Sequence, residues 1–126
     1  MSSFDLASTY VCLSPSGRAS TIEVTPEFWA TIDERDDLTE GRLVSAFACD
    51  ADWPHWEMHP HGEEILVLLS GKMTMVLEER GEERRVELRE GRACIVPPGT
   101  WHRAIVHVPS KLLAITYGRG TEHRER

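Results

Sequence analysis

The sequence is short of cysteine, of positive charge and of long apolar runs, and each shortage removes a class of function. Cys12, Cys49 and Cys94 are three widely spaced thiols with no CxxC pair. Neither a disulfide framework nor a thiolate zinc site is expected, and a reducing compartment, the cytoplasm, fits best. Fourteen Lys and Arg against twenty-one Asp and Glu leave a formal charge of −7. Nucleic-acid binding depends on clustered cations that neutralise phosphates, so neither a nucleic acid nor an anionic membrane surface is an expected partner. No apolar run reaches the roughly 20 residues needed to cross a bilayer. Residues 1–11 carry Asp5 and have neither a basic stretch nor a long apolar one, so no secretory signal is expected.

What remains is an ordinary globular composition, 40% hydrophobic and 28% charged over 126 residues, which suits one domain with one core, residues 1–126. Patterning divides the chain into two textures. In residues 1–40, residues 19–24 read as a strand. Thr25 and Pro26 then look like the N-cap and first position of a short helix, which would turn Phe28, Trp29 and Ile32 toward the core. The acidic cluster at residues 33–37 reads as a solvated turn.

From Arg42 onward, short apolar runs follow one another at 43–48, 65–69, 73–77, 86–88, 93–96, 104–108 and 112–117. Gly71, Gly81, Gly91, Pro97-Pro98-Gly99 and Pro109-Ser110 punctuate them. Strands at such spacing with turn residues between them predict an antiparallel sandwich or barrel. Gly81, midway through a charged stretch, predicts a solvated hairpin tip.

The chemistry is concentrated in Trp53-Pro54-His55-Trp56-Glu57-Met58-His59-Pro60-His61-Gly62-Glu63-Glu64, with three histidines and three carboxylates. On an extended strand alternate residues share a face, so His59 and His61 can point together. Glu63 continues that parity if the strand is unbroken, whereas Glu64 joins them if Gly62 makes a corner. Imidazole nitrogen with carboxylate oxygen is a donor mixture suited to a divalent transition metal. His102, after a strand that ends in a proline and glycine turn, supplies a fourth donor.

These residues resemble the two motifs of the cupin superfamily. The first has His-x-His, a Glu and, after six residues, a Gly: here His59, His61, Glu64 and Gly71. The second has Gly, Pro-x-Gly and His: here Gly91, Pro97, Gly99 and His102. Departures are Trp53 in place of an earlier Gly, a short interval between His61 and Glu64, and Val106 in place of a closing Asn. The resemblance implies an all-β jelly roll, or double-stranded β-barrel, over residues 42–117, with residues 1–40 as an extension packed on it. It implies one divalent metal (Fe, Mn, Ni or Zn) held near the mouth by His59, His61, Glu64 and His102, with Glu64 preferred to Glu63 for its spacing to Gly71. It also implies a homodimer.

A centre of three histidines and one glutamate leaves open positions at which a small molecule could be polarised. The expected function is therefore a metal-dependent enzyme of oxygenase or isomerase type acting on a small molecule, with Glu57 or His55 moving protons. The alternative is a non-catalytic binding or sensing module. His107 and His123 read as structural, Cys94 as an inert buried thiol, Trp101 as a pocket residue, and Arg42 and Tyr117 as surface residues at strand ends.

Overall fold

The structure is a computed structural model that describes residues 2–35, 38 and 40–126. Among the described residues, nine antiparallel strands carry the fold: β1 (Thr9–Leu13), β2 (Ala19–Glu23), β3 (Arg42–Cys49), β4 (His55–Met58), β5 (Glu64–Glu79), β6 (Glu82–Arg89), β7 (Ala93–Val96), β8 (His102–Thr116) and β9 (Glu122–Glu125). The order β2-β1-β3-β8-β4-β9 forms one path, and β5 pairs with β6, β7 and β8. This is the expected all-β jelly-roll barrel.

The barrel is built around β5 and β8, which pair from Glu64 opposite Thr116 to Leu77 opposite His102. The first half of β5 buries Glu64, Leu66 and Leu68, and the second half buries Met73, Met75 and Leu77. Residues 73–77 are all buried, Thr74 and Val76 included, but the side chains that join the main core change from even to odd positions because the register shifts between Leu68 and Met73. A bulge of one residue reverses which face the following side chains occupy. Gly71 sits at that bend with φ +98°, and a Cβ there would lie 2.2 Å from Ser110 Oγ on β8. Gly71 and Pro109-Ser110 therefore do not separate strands, as their residue types suggested. They face each other across a kink in two continuous strands. At Gly81 the expected hairpin tip is present: Arg80 and Gly81 both have positive φ between Glu79 and its partner Glu82, the geometry of a two-residue turn that matches strand twist.

The main core comprises Leu66, Leu68, Met73, Met75, Leu77, Leu88 and Leu112 with smaller neighbours. A second cluster, Tyr10, Cys12, Ile22, Phe28 and Leu43, joins the N-terminal strands to β3. The short helix expected from Thr25-Pro26 is absent. Residues 26–30 form turns, followed by a 3-10 helix at Ile32–Glu34. Only the Thr31 amide reaches back to Glu27 in an α-helical bond, and the Thr31 hydroxyl occupies the same carbonyl. That local competition favours a turn over helix propagation. Phe28 is buried as expected, but Trp29 is half exposed and packs edge-on against Phe28. Of the acidic cluster, Asp33 and Glu34 are exposed, and Asp36 and Asp37 lie outside the described residues.

Candidate metal centre

β4 ends at Met58, so His59 is the first residue beyond the strand and keeps the parity of Glu57 two positions earlier. β4 pairs with β8 at Glu57 opposite His102. That register brings Glu57, His59 and His102 together, each offering a donor atom within 4.8 Å of the others. Glu64, the first residue of β5, completes the cluster. Its Oε1 is 3.0 Å from His102 Nε2 and its Oε2 is 3.3 Å from His59 Nε2. Glu57 Oε1 lies 3.5 Å from His59 Nε2.

The outer atoms of both imidazoles are already fixed. His102 Nδ1 donates to the Thr100 carbonyl at 3.0 Å. The Thr121 hydroxyl donates to the Gly118 carbonyl at 2.7 Å, so at its 2.7 Å contact with His59 it accepts from Nδ1–H. Both neutral rings then present an Nε2 lone pair to the cluster, the tautomer a metal ligand requires. His59 Nε2, His102 Nε2 and Glu64 Oε1 are buried and have no hydrogen-bond partner. Three buried acceptors facing one another need a shared cation or proton, and two imidazoles with carboxylates fit a divalent metal ion. The Thr116 hydroxyl donates to Glu64 Oε2 at 2.5 Å and fixes that carboxylate in place.

The electrostatics reflect the same crowding. Burial alone would raise the pKa of Glu64, but the His102 and His59 rings in contact with its carboxylate outweigh it and hold the group at about 2. Burial opposes charge on His102, yet the Glu64 carboxylate, the Thr100 carbonyl and Glu57 raise its pKa above the ordinary value. Glu57 is pushed up by burial and by the charge of Glu64, with the histidines partly offsetting both.

Glu57, His59 and Glu64 line a cavity of about 940 Å³ together with Trp53, Phe47, Leu66, Trp29, Leu38 and Arg119, and His102 is fully buried next to them. That volume is at the upper end for small-molecule sites.

Of the four residues singled out in the sequence, His59, Glu64 and His102 converge. His61 does not: it is exposed on the bend after Pro60, and its ring approaches Gly120 instead. Glu63 is also exposed, beside Arg42 and Ile65 on the outside of the barrel. Gly62 marks the corner, where a side chain would collide with Tyr117 at 2.7 Å. Arg42 stacks on Tyr117 at 4.6 Å. Trp101 stacks on Arg124 at 4.6 Å. His107 bonds to Thr74, His55 is exposed, and Cys94 is buried with its thiol pKa raised by burial.

Glu57 is the member of the cluster not chosen as a ligand from the sequence. The signal for it was the short His61 to Glu64 interval: moving the frame back by two residues places Glu57 and His59 at the paired positions and lengthens the gap to Glu64. Thr121, the partner of His59, had no sequence signal.

A family model described as "Cupin domain" matches residues 48–116. No curated protein matches the sequence. Among solved structures, the chain is similar to a cupin-2 domain protein from Shewanella frigidimarina (TM-score 0.52, 15% identity, 60% of this chain and 69% of that one). It is also similar to hydroquinone 1,2-dioxygenase PnpCD in complex with Cd2+ and 4-hydroxybenzonitrile (TM-score 0.54, 17% identity, 60% and 56%). A third is Fe(II)-HppE with an alternative substrate (TM-score 0.53, 18% identity, 65% and 45%). The chain thus spans only about half the length of these last two proteins, and identities this low speak to the fold alone. The family model covers more than half of the chain, including the barrel strands that carry Glu64 and His102, and this protein belongs to the cupin family.

Proposed function

We propose that this cupin is a metal-dependent enzyme of oxygenase or isomerase type acting on a small molecule. The observation that carries this reading is the set of three buried, unpartnered donor atoms, His59 Nε2, His102 Nε2 and Glu64 Oε1, two of whose residues, His59 and Glu64, line a large cavity. His59, His102 and Glu64 would hold one divalent transition metal, with Glu57 as fourth donor in the role the sequence suggested for His61. A bound divalent ion of this kind supplies Lewis acidity and, if it is Fe or Mn, one-electron chemistry.

The chain's own groups do the rest. Thr121 and Thr100 fix the tautomers of the two histidines, and Thr116 orients Glu64. Trp53, Phe47 and Leu66 form an apolar wall that limits water near the cluster. The Glu57 side chain is 28% exposed against 6% for Glu64, so its carboxylate is the more open of the two to a molecule in the cavity. Two of the solved neighbours in this fold are described with a metal and a small molecule, which supports the same reading.

The protein would act as a homodimer in the cytoplasm. Ile95, Ile65, Ile115, Val44 and Val11 stand in register across β7, β5, β8, β3 and β1. They alternate with the buried positions and so form an apolar row on a face that antiparallel sheets usually leave polar. Three buried free thiols suit a reducing compartment.

The test is metal content by elemental analysis after reconstitution with Fe, Mn, Ni or Zn, followed by a turnover screen against small chelating molecules. The wild type should bind one ion per chain. His59→Ala and His102→Ala should lose it, and Glu57→Gln should weaken it about tenfold or more, whereas His61→Ala should leave it unchanged. Full metal content in His102→Ala would refute the site. A loaded protein that binds small molecules and turns none over would reduce the function to binding or sensing.

A further inference from the structure

The turn Gly118-Arg119-Gly120-Thr121 connects β8 to β9 and lines the same cavity as the metal centre. It is held from several directions. The Thr121 amide and hydroxyl both close on the Gly118 carbonyl, and the hydroxyl also accepts from His59. Gly120 lies so close to the His61 bend that a Cβ on it would be 3.2 Å from Pro60 Cγ. Beyond the turn, Arg124 is stacked between Trp56 and Trp101 and ion-paired to Glu78. Arg119 is therefore carried on a fixed turn, with its Cα within about 7 Å of the Thr121 Cα, two residues on.

Arg119 makes no ion pair, hydrogen bond or ring contact among the described residues, although it lines a cavity that also carries acidic groups. The charge balance of that cavity is informative. Asp33, Glu57 and Glu64 oppose Arg35 and Arg119, leaving one net negative charge among the described lining residues. A dication at the cluster turns this into one net positive charge. Arg35 lies over the Phe28 ring at 6.0 Å, which leaves Arg119 as the uncommitted cation among the described lining residues, and Trp53, Phe47 and Leu38 make part of the same lining apolar.

We propose that the cavity takes a monoanionic organic acid with an apolar body, its acid group paired to the Arg119 guanidinium and its far end directed at the metal centre. This rests on the metal-dependent reading above. Guanidinium is suited to carboxylate because its planar donors can bind both oxygens together. The neutral glycines on either side let the arginine turn inward with no competing side chain. Arg119 is thus a specificity residue: it selects the charge of the ligand and leaves the metal ligands untouched.

The test is calorimetric titration of the Mn2+-loaded protein with 4-phenylbutyrate and with its uncharged amide, 4-phenylbutanamide, after metal content has been measured. The wild type should bind the acid at least tenfold tighter than the amide. Arg119→Gln should abolish that preference at full metal content, and Arg119→Lys should keep part of it. The metal-free wild type, with its cavity charge negative, should bind the acid at least tenfold more weakly than the loaded protein. Equal affinity of wild type and Arg119→Gln for the acid, or no binding of the acid to the loaded protein, would overturn the assignment of Arg119. Failure of the wild type to bind metal would overturn the function reading and this inference together.

Discussion

Replacing Thr121 by Val tests how the centre is held without touching a ligand. Valine keeps the shape of the side chain and removes the hydroxyl that accepts from His59 Nδ1 at 2.7 Å. His59 is 4% exposed, so water cannot readily take over that role. A buried donor left without its acceptor costs about 1–3 kcal/mol. The imidazole can avoid part of this cost by moving its proton to Nε2, where Glu64 Oε2 waits at 3.3 Å. That tautomer closes the lone pair the metal needs, so the loss falls on metal affinity more than on the fold. At about 1.4 kcal/mol per tenfold, the expected change in metal dissociation constant is about 10–100-fold, the range usual for partners of ligating histidines. Competition against a fluorescent chelator reads it directly, and urea unfolding of the metal-free protein measures the fold separately. Thr121→Ser retains the hydroxyl and should restore most of the affinity. If Thr121→Val binds metal as tightly as the wild type, the tautomer argument fails.

Two further outcomes follow from the structure. Gly71→Ala should destabilise the protein by about 2–4 kcal/mol, because the new methyl meets Ser110 within 2.2–2.7 Å at φ +98°. Gly81→Ala, at φ +79° with nothing within 4 Å, should cost only about 1 kcal/mol; equal losses in urea unfolding would refute the close-approach explanation. In the metal-free protein, Glu64 contributes stability present above its ordinary 4.5 and lost as pH falls toward about 2. His102, with a raised pKa, contributes stability present below its ordinary 6.5 and lost as pH rises through its folded value. Unfolding free energy of the metal-free protein should therefore crest between about pH 4.5 and 6.5 and decline on both sides. A steady rise to pH 9 would contradict the Glu64–His102 pairing.

The sequence made the barrel and most of the centre legible because both rest on local patterns. Apolar runs gave β3, β6 and β7, and Gly81 gave the hairpin tip. Two motif positions, His59 and His102, were visible because strand and turn residues surround them. Errors arose where long-range pairing overrode local type. Gly71 and Pro109-Ser110 have the residue types of breaks, but opposite each other they make a kink that keeps both strands intact. His61 shares parity with His59 only on an extended strand, and β4 has already ended at Met58. Pro60 and Gly62 then take the chain around a bend, leaving His61 outside and Glu57 inside. The pairing of β9 with β4, which supplies Thr121, joins residues more than 60 positions apart and leaves no periodic trace in a four-residue strand.

The kinked pair β5 and β8 has a mechanical consequence. Glu64 pairs at one end of this ribbon and His102 at the other, so that, drawn straight at about 3.3 Å per residue, the two would lie on the order of 40 Å apart. They stand 3.0 Å apart because the ribbon curls back on itself. The ion-binding groups are thus the two tips of a spring clip whose bend is at Gly71 and Ser110, far along both strands from either tip. An ion gripping the tips would hold the clip shut, and any change that alters its curvature at the bend would alter the grip. Affinity in such a device can be tuned from the back of the clip, with every residue of the cavity left as it is.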